Sequence, residues 1–132
     1  VAVIDGDGNV LMNLGSLAMT AVMAPANFRH VVLDNGVYAS TGNQPAISAS
    51  VKLEEIARAA GYRQVARVGR LAEIAPALRA QLAVDGPTLL LVETQPESGP
   101  PAPRIPYTPP EMTARVSRAV ARLAVEAGKG AR

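Results

Sequence analysis

The sequence contains no cysteine, no tryptophan and a single histidine, His30. Without thiols there is no disulfide, no thiolate nucleophile and no cysteine-ligated zinc, and one imidazole cannot build a multi-histidine metal site. Aromatic residues make up 3% of the chain, which leaves almost nothing to stack on bases, and the arginines are scattered rather than gathered into a patch. Both features argue against a nucleic-acid partner. No apolar run reaches the roughly 18 residues that a membrane-spanning helix needs. The opening Val1-Ala2-Val3-Ile4-Asp5 has no basic stretch ahead of its apolar residues, as a secretory signal would. A cytoplasmic protein with no membrane partner is expected.

What is present is a chain of 132 residues, 48% hydrophobic and 18% charged, with a net charge of +2. That suffices for one compact domain with its own core, spanning residues 1–132. Short β-branched runs, Val1–Ile4 and Arg29–Leu33, read as buried strands, and Tyr62–Val68 and Thr88–Glu93 read as the third and fourth strands. Between them lie helical segments at Leu11–Met23, Val51–Ala60 and Arg70–Val84, with Ser50 as the N-cap of the second and Gly61 as its stop. This alternation predicts an α/β fold, three-layer α/β/α with a mostly parallel sheet.

Seven of the 11 prolines fall between Pro96 and Pro110. Such density excludes regular helix or central strand, so residues 95–110 are expected to form an extended segment wrapping over a surface. A last helix, 111–127, carries Met112, Val116, Val120 and Leu123 at helical spacing, which predicts one buried stripe. The helix Leu11–Met23 is apolar on nearly every face and is expected at a subunit interface, in an obligate oligomer.

Two strand ends carry the chemistry. In open parallel sheets, ligands sit beyond the carboxyl ends of the strands. At the first end, Gly6-Asp7-Gly8-Asn9, two glycines flank a carboxylate where a strand hands over to a helix. Glycines let backbone approach an anion, and amides at a helix start donate to phosphate oxygens. A carboxylate among phosphates repels them unless a cation lies between, so Asp7 suggests Mg²⁺. At the second end, Asp34-Asn35-Gly36-Val37, Asn35 offers a neutral oxygen and the following turn a backbone carbonyl. Mg²⁺ takes about six hard oxygens and uses few carboxylates. The set is compatible with a diphosphate cofactor without identifying one. Each motif alone is also ordinary turn chemistry.

The two motifs stand 28 positions apart, from Asp7 to Asn35. As a pair they resemble the bipartite signature of thiamine-diphosphate enzymes, which opens with Gly-Asp-Gly and closes on paired asparagines. Asp34 replaces the first of that pair. The stretches Asn13-Leu14-Gly15-Ser16-Leu17-Ala18-Met19 and Asp34–Pro45, with Arg104-Ile105-Pro106 and Thr108-Pro109-Pro110-Glu111, are similar to sulfopyruvate and phosphonopyruvate decarboxylases. The resemblance implies thiamine diphosphate and Mg²⁺ as cofactors. By it, Asp7 and Asn35 would hold Mg²⁺ through side chains and Val37 through its carbonyl. Gly6, Asp7, Gly8, Asn9, Asn35, Val37 and Tyr38 would form the cofactor site.

The resemblance further implies decarboxylation of a 2-oxoacid, with sulfopyruvate converted to sulfoacetaldehyde and CO₂, or with phosphonopyruvate as the alternative substrate. The glutamate that activates the cofactor would come from a pyrimidine-binding domain or subunit that this chain does not contain. Further sequence is expected ahead of the Gly-Asp-Gly strand, and the chain is expected to be inactive alone. Ser40, Thr41, Asn43 and Gln44 either line the substrate pocket or form a solvated loop. Tyr38 either packs on the cofactor or sits at the core edge. His30 is expected to be structural or exposed, Met12, Met19 and Met23 to fill core beside the partner domain, and Arg115, Arg118 and Arg122 to form a solvated face. Two competing functions remain: a carboligase of the acetolactate-synthase type on the same cofactor, and a non-catalytic α/β interaction module, which the change to Asp34 supports.

Overall fold

The computed structural model describes residues 1–96 and 103–129. The chain divides into two units, Val1–Ser98 and Gly99–Arg132. The first is built from β1 (Ala2–Gly6), α1 (Asp7–Met12), α2 (Gly15–Met23), β2 (Arg29–Asp34), β3 (Val37–Tyr38), β4 (Gln44–Pro45), a 3₁₀ turn at Ile47–Ala49, α3 (Leu53–Ala60), β5 (Gln64–Val68), α4 (Leu71–Leu82) and β6 (Thr88–Glu93). Four strands form one parallel sheet in the order β1-β2-β6-β5. The expected α/β architecture is therefore present, with helices on both faces.

The faces follow from handedness. The chain steps from β1 to β2 and on past an open place to β5, then turns back to insert β6 between them. Right-handed crossovers put helices of the forward steps on one face and the helix of the return step on the other. Accordingly Val10, Leu17, Leu53 and Ala57 of α1, α2 and α3 pack with Val32, Leu89 and Leu91. Ile74, Ala77 and Leu78 of α4 pack on Val68, Leu90 and Val92. β6 is covered on both sides, which is why Thr88–Val92 is an unbroken buried run.

Several expectations need correction. Val1–Ile4 was expected as a buried strand, yet β1 lies at the sheet edge and Ile4 is exposed. It has a single strand neighbour, and α4 packs over β5 and β6 instead. The helix expected at Leu11–Met23 begins at Asp7 and is broken at Asn13, whose backbone leaves the helical region, so it forms α1 and α2. Met12, Met19 and Met23 are exposed on this chain. Ser50 caps nothing: it closes the 3₁₀ turn, and α3 starts after Lys52. Gly61 does end α3, at φ +110°, a conformation that favours glycine.

In the second unit, α5 (Pro109–Lys129) starts where the Glu111 carboxylate accepts both the Thr108 amide and its hydroxyl, at 2.7 and 2.8 Å. Its stripe of Met112, Val116, Val120 and Leu123 is exposed, not buried. Among the described residues this unit has no second helix or strand to cover it. Arg115 lies over the Tyr107 ring at 4.2 Å, and Arg118 and Arg122 are exposed, as expected of a solvated face. Of the segment expected to be extended, 95–96 and 103–105 are neither helix nor strand, and 97–102 lie outside the described residues. Among the described residues, no helix is long and apolar enough to cross a membrane.

Candidate functional site

β1 and β2 run side by side with Gly6 paired to Leu33, so Asp7, which opens α1, and Asp34, the last residue of β2, stand at neighbouring strand ends. The chain turns at once in both places. After Gly6 it enters α1. After Asp34, the Asn35 side-chain oxygen accepts the Val37 amide at 3.0 Å while Gly36 adopts φ +71°. That turn starts a β3–β4 ribbon, which carries the chain back towards β1.

One cavity of about 390 Å³ opens at this corner, lined by Asp5, Gly6, Asp7, Gly8, Asn9, Asn35, Val37, Tyr38 and Ser40 among others. Every residue expected at a cofactor or metal is therefore on one wall or another of the same space. Thr41, Asn43 and Gln44 are elsewhere. The Thr41 hydroxyl donates to the Gln44 side-chain oxygen at 2.8 Å, Gln44 donates to the Thr41 carbonyl, and Asn43 turns the ribbon at φ +59°. These three satisfy the ribbon's own turn.

Asp7 is almost wholly buried, 2% exposed, and its Oδ2 accepts the Ser48 hydroxyl at 2.7 Å. Ser48 was not anticipated. It stands 41 residues from Asp7, in a loop whose polar composition gives no sign of which hydroxyl turns inward. The Asp34 carboxyl is pushed above the usual carboxylate range, first by burial and further by the nearby charge of Asp7; the Ser48 hydroxyl and the Gly36 amide act against this. Among the described residues no lysine or arginine pairs with either acid. Arg67 shares a second cavity of about 310 Å³ with Asp34 and Ser48, but its guanidinium is held by Glu54 at 2.9 Å and Glu93 at 2.6 Å.

On the wall of the same cavity, Asp5 Oδ1 accepts the Gly6 amide at 2.9 Å and the Asn9 side-chain amide at 2.7 Å. Its other oxygen lies 3.5 Å from His30 Nε2. His30 is buried, not exposed, and edges against Phe28. Burial lowers its basicity, and Asp5 opposes that only in part.

Residues 1–92 match the family model for the thiamine pyrophosphate enzyme C-terminal TPP-binding domain. The chain belongs to this family. Relatives include two proteins named phosphonopyruvate decarboxylase. One, from Streptomyces hygroscopicus, is 50% identical over 98 residues, covering 74% of this chain and 24% of the relative. The other, from Streptomyces viridochromogenes, is 47% identical over 115 residues, covering 87% and 29%. A sulfopyruvate decarboxylase subunit beta from Methanococcus maripaludis is 32% identical over 120 residues, covering 91% and 64%. The chain thus spans about a quarter of the first two relatives and under two thirds of the third.

The residues present fit the cofactor of a thiamine pyrophosphate enzyme. Two acids lie together at the mouth of the sheet without a cationic side chain, which favours a metal ion between them and a bound anion. Among the described residues no three Asp, Glu or His side chains converge. Mg²⁺ takes few carboxylates and completes its shell with neutral and phosphate oxygens, and Asp7 and Asn35 line one cavity as a donor set of that kind. Asn35 has given one of two lone pairs to Val37 and keeps the other.

Proposed function

We propose that this chain is the thiamine-diphosphate- and Mg²⁺-binding part of a 2-oxoacid decarboxylase. The observation that carries the reading is the single cavity shared by Asp7, Asn35, Val37 and Tyr38 at two adjoining strand ends. Asp7 and Asn35 would hold Mg²⁺ by side-chain oxygens and Val37 by its carbonyl. The amides of Gly8 and Asn9, at the start of α1, would meet the diphosphate. Tyr38 and Ser40 would close the outer wall, and Thr41, Asn43 and Gln44 would act on substrate only through the shape of the ribbon. Thiamine diphosphate, once bound, supplies the electron sink for loss of CO₂. This chain's residues anchor it and balance its charge.

The acid–base residues, including the activating glutamate, would come from a pyrimidine-binding domain or subunit. Support comes from the exposed apolar side chains at the end of α1 and on α2, Met12, Met19, Val22 and Met23, which a partner would cover. An obligate oligomer in the cytoplasm is part of the same reading. The substrate would carry an acid at its third carbon. Sulfopyruvate leads, as the sequence suggests, and phosphonopyruvate is the second reading, because both Streptomyces relatives carry that name.

The test is CO₂ release from sulfopyruvate and phosphonopyruvate in parallel, using the full-length protein with its pyrimidine-binding partner, thiamine diphosphate and Mg²⁺. Turnover of one substrate, abolished by Asp7→Ala, is expected. Cofactor binding without release from either would retire the decarboxylase reading in favour of a carboligase. No Mg²⁺-dependent binding would leave the interaction module.

A further inference from the structure

We infer that Ser48 is a positioning residue for the metal site: its hydroxyl holds the Asp7 carboxylate in the orientation that receives the cation. The inference rests on the cofactor reading above and extends it to a residue outside both motifs. Its basis is one contact, the 2.7 Å bond from Ser48 Oγ to Asp7 Oδ2, between side chains 3% and 2% exposed.

The choice of partner matters. A lysine or arginine on Asp7 would cancel its charge and compete with a metal ion, whereas a hydroxyl fixes the carboxylate and leaves that charge in place. A hydroxyl has one proton to give, so it engages a single oxygen of Asp7, with Asp34 as the other carboxylate beside it. Both side chains are almost wholly buried, so losing the donor leaves the Asp7 carboxylate short of a hydrogen bond.

The backbone delivers Ser48 reliably. The Ala46 amide donates to the Gly36 carbonyl at 2.8 Å, closing residues 36–46 into a loop. The 3₁₀ turn Ile47–Ala49 follows at once, with Ser50 and Val51 amides both donating to the Ile47 carbonyl at 2.9 and 3.0 Å. The loop that leaves the second motif at Asn35 thus returns to grip the first motif at Asp7. Ser48 joins the two halves of the site into one body, and a cation bound to both halves would feel its loss.

The experiment is isothermal titration of the full-length protein with Mg²⁺ at saturating thiamine diphosphate, for wild type, Ser48→Ala, Ser48→Cys and Ser48→Thr. Loss of a hydrogen bond to a metal ligand weakens metal affinity about 10- to 100-fold. We expect Ser48→Ala to raise the Mg²⁺ Kd about tenfold or more, with the threonine hydroxyl restoring affinity. Should Ser48→Ala not fold, the cysteine and threonine variants carry the test: the weaker thiol donor must bind Mg²⁺ less tightly than the hydroxyl. A Ser48→Ala Kd within twofold of wild type, or equal values for cysteine and threonine, would overturn the positioning role alone. Absence of Mg²⁺-dependent cofactor binding in the wild type would instead overturn the cofactor reading, and this inference with it.

Discussion

The ring of Tyr38 lies against Gly8 so closely that a Cβ on that glycine would sit 2.5 Å from the ring's Cε1 and 2.8 Å from its Cδ1. Gly8 is helical, and its φ is not positive. The glycine is therefore required by its neighbour and not by its own backbone. An added methyl must displace either Tyr38 or the first turn of α1, and overpacking of this kind costs about 1–3 kcal/mol. In a helix, however, alanine is favoured over glycine by up to about 1 kcal/mol. Gly8→Ala should destabilise the wild type but stabilise a Tyr38→Ala background. Urea unfolding of the four proteins reads the sign, and the same sign in both backgrounds would refute the contact.

Asp34 bears on the metal-free state. Its raised carboxyl pKa means that the folded protein holds a proton there more tightly than the unfolded chain does. Stability from this group is then present at low pH and lost as pH rises through the folded value. Asp34→Asn should remove that loss, raising the melting temperature of the metal-free protein at pH 7–8 and converging with wild type near pH 4. The gain should stay within about 1 kcal/mol, since a half-exposed charge is screened by solvent. Scanning calorimetry at both pH values, with chelator present, measures it.

His30 works in the opposite direction. Burial depresses its basicity, so the unfolded chain takes up a proton near the ordinary imidazole pKa of about 6.5 while the folded protein resists. Stability is complete above that pH and falls as pH drops through the folded value. His30→Gln, which cannot titrate, should flatten the slope of stability against pH below the ordinary imidazole pKa of about 6.5. Denaturant midpoints at half-unit pH steps would reveal the difference.

Arg29 is a staple at the far end of the sheet from the site. Nη1 donates to the carbonyls of Ala26, Phe28 and Gly86 at 3.2, 3.1 and 2.9 Å, and Nη2 to that of Val84 at 2.7 Å. One planar fork ties the entry of β2 to the turn before β6. Arg29→Met leaves several carbonyls short of a charged donor and should cost about 2–3 kcal/mol. Arg29→Lys should recover only part, because a single ammonium cannot span the set. Thiamine diphosphate affinity of the folded fraction, read by titration, should not change.

Much of this protein was legible in its sequence, because the signals concerned are local. β-branched runs, a stop at Gly61 and an unbroken apolar Leu89–Val92 report strands and helices through propensity and period. Gly6-Asp7-Gly8 and Asp34-Asn35-Gly36 announce polar strand ends through turn chemistry, and their spacing already suggested a common site. What folding alone decided are the contacts between segments that local rules do not link. Tertiary packing left β1 at the edge, broke one helix into two at Asn13, and left the methionines of α1 and α2 exposed. It also seated Tyr38 on Gly8 and sent Ser48 across 41 residues to Asp7. Residue type and period describe what a segment can become; which hydroxyl meets which carboxylate is settled only when the sheet brings two strand ends side by side.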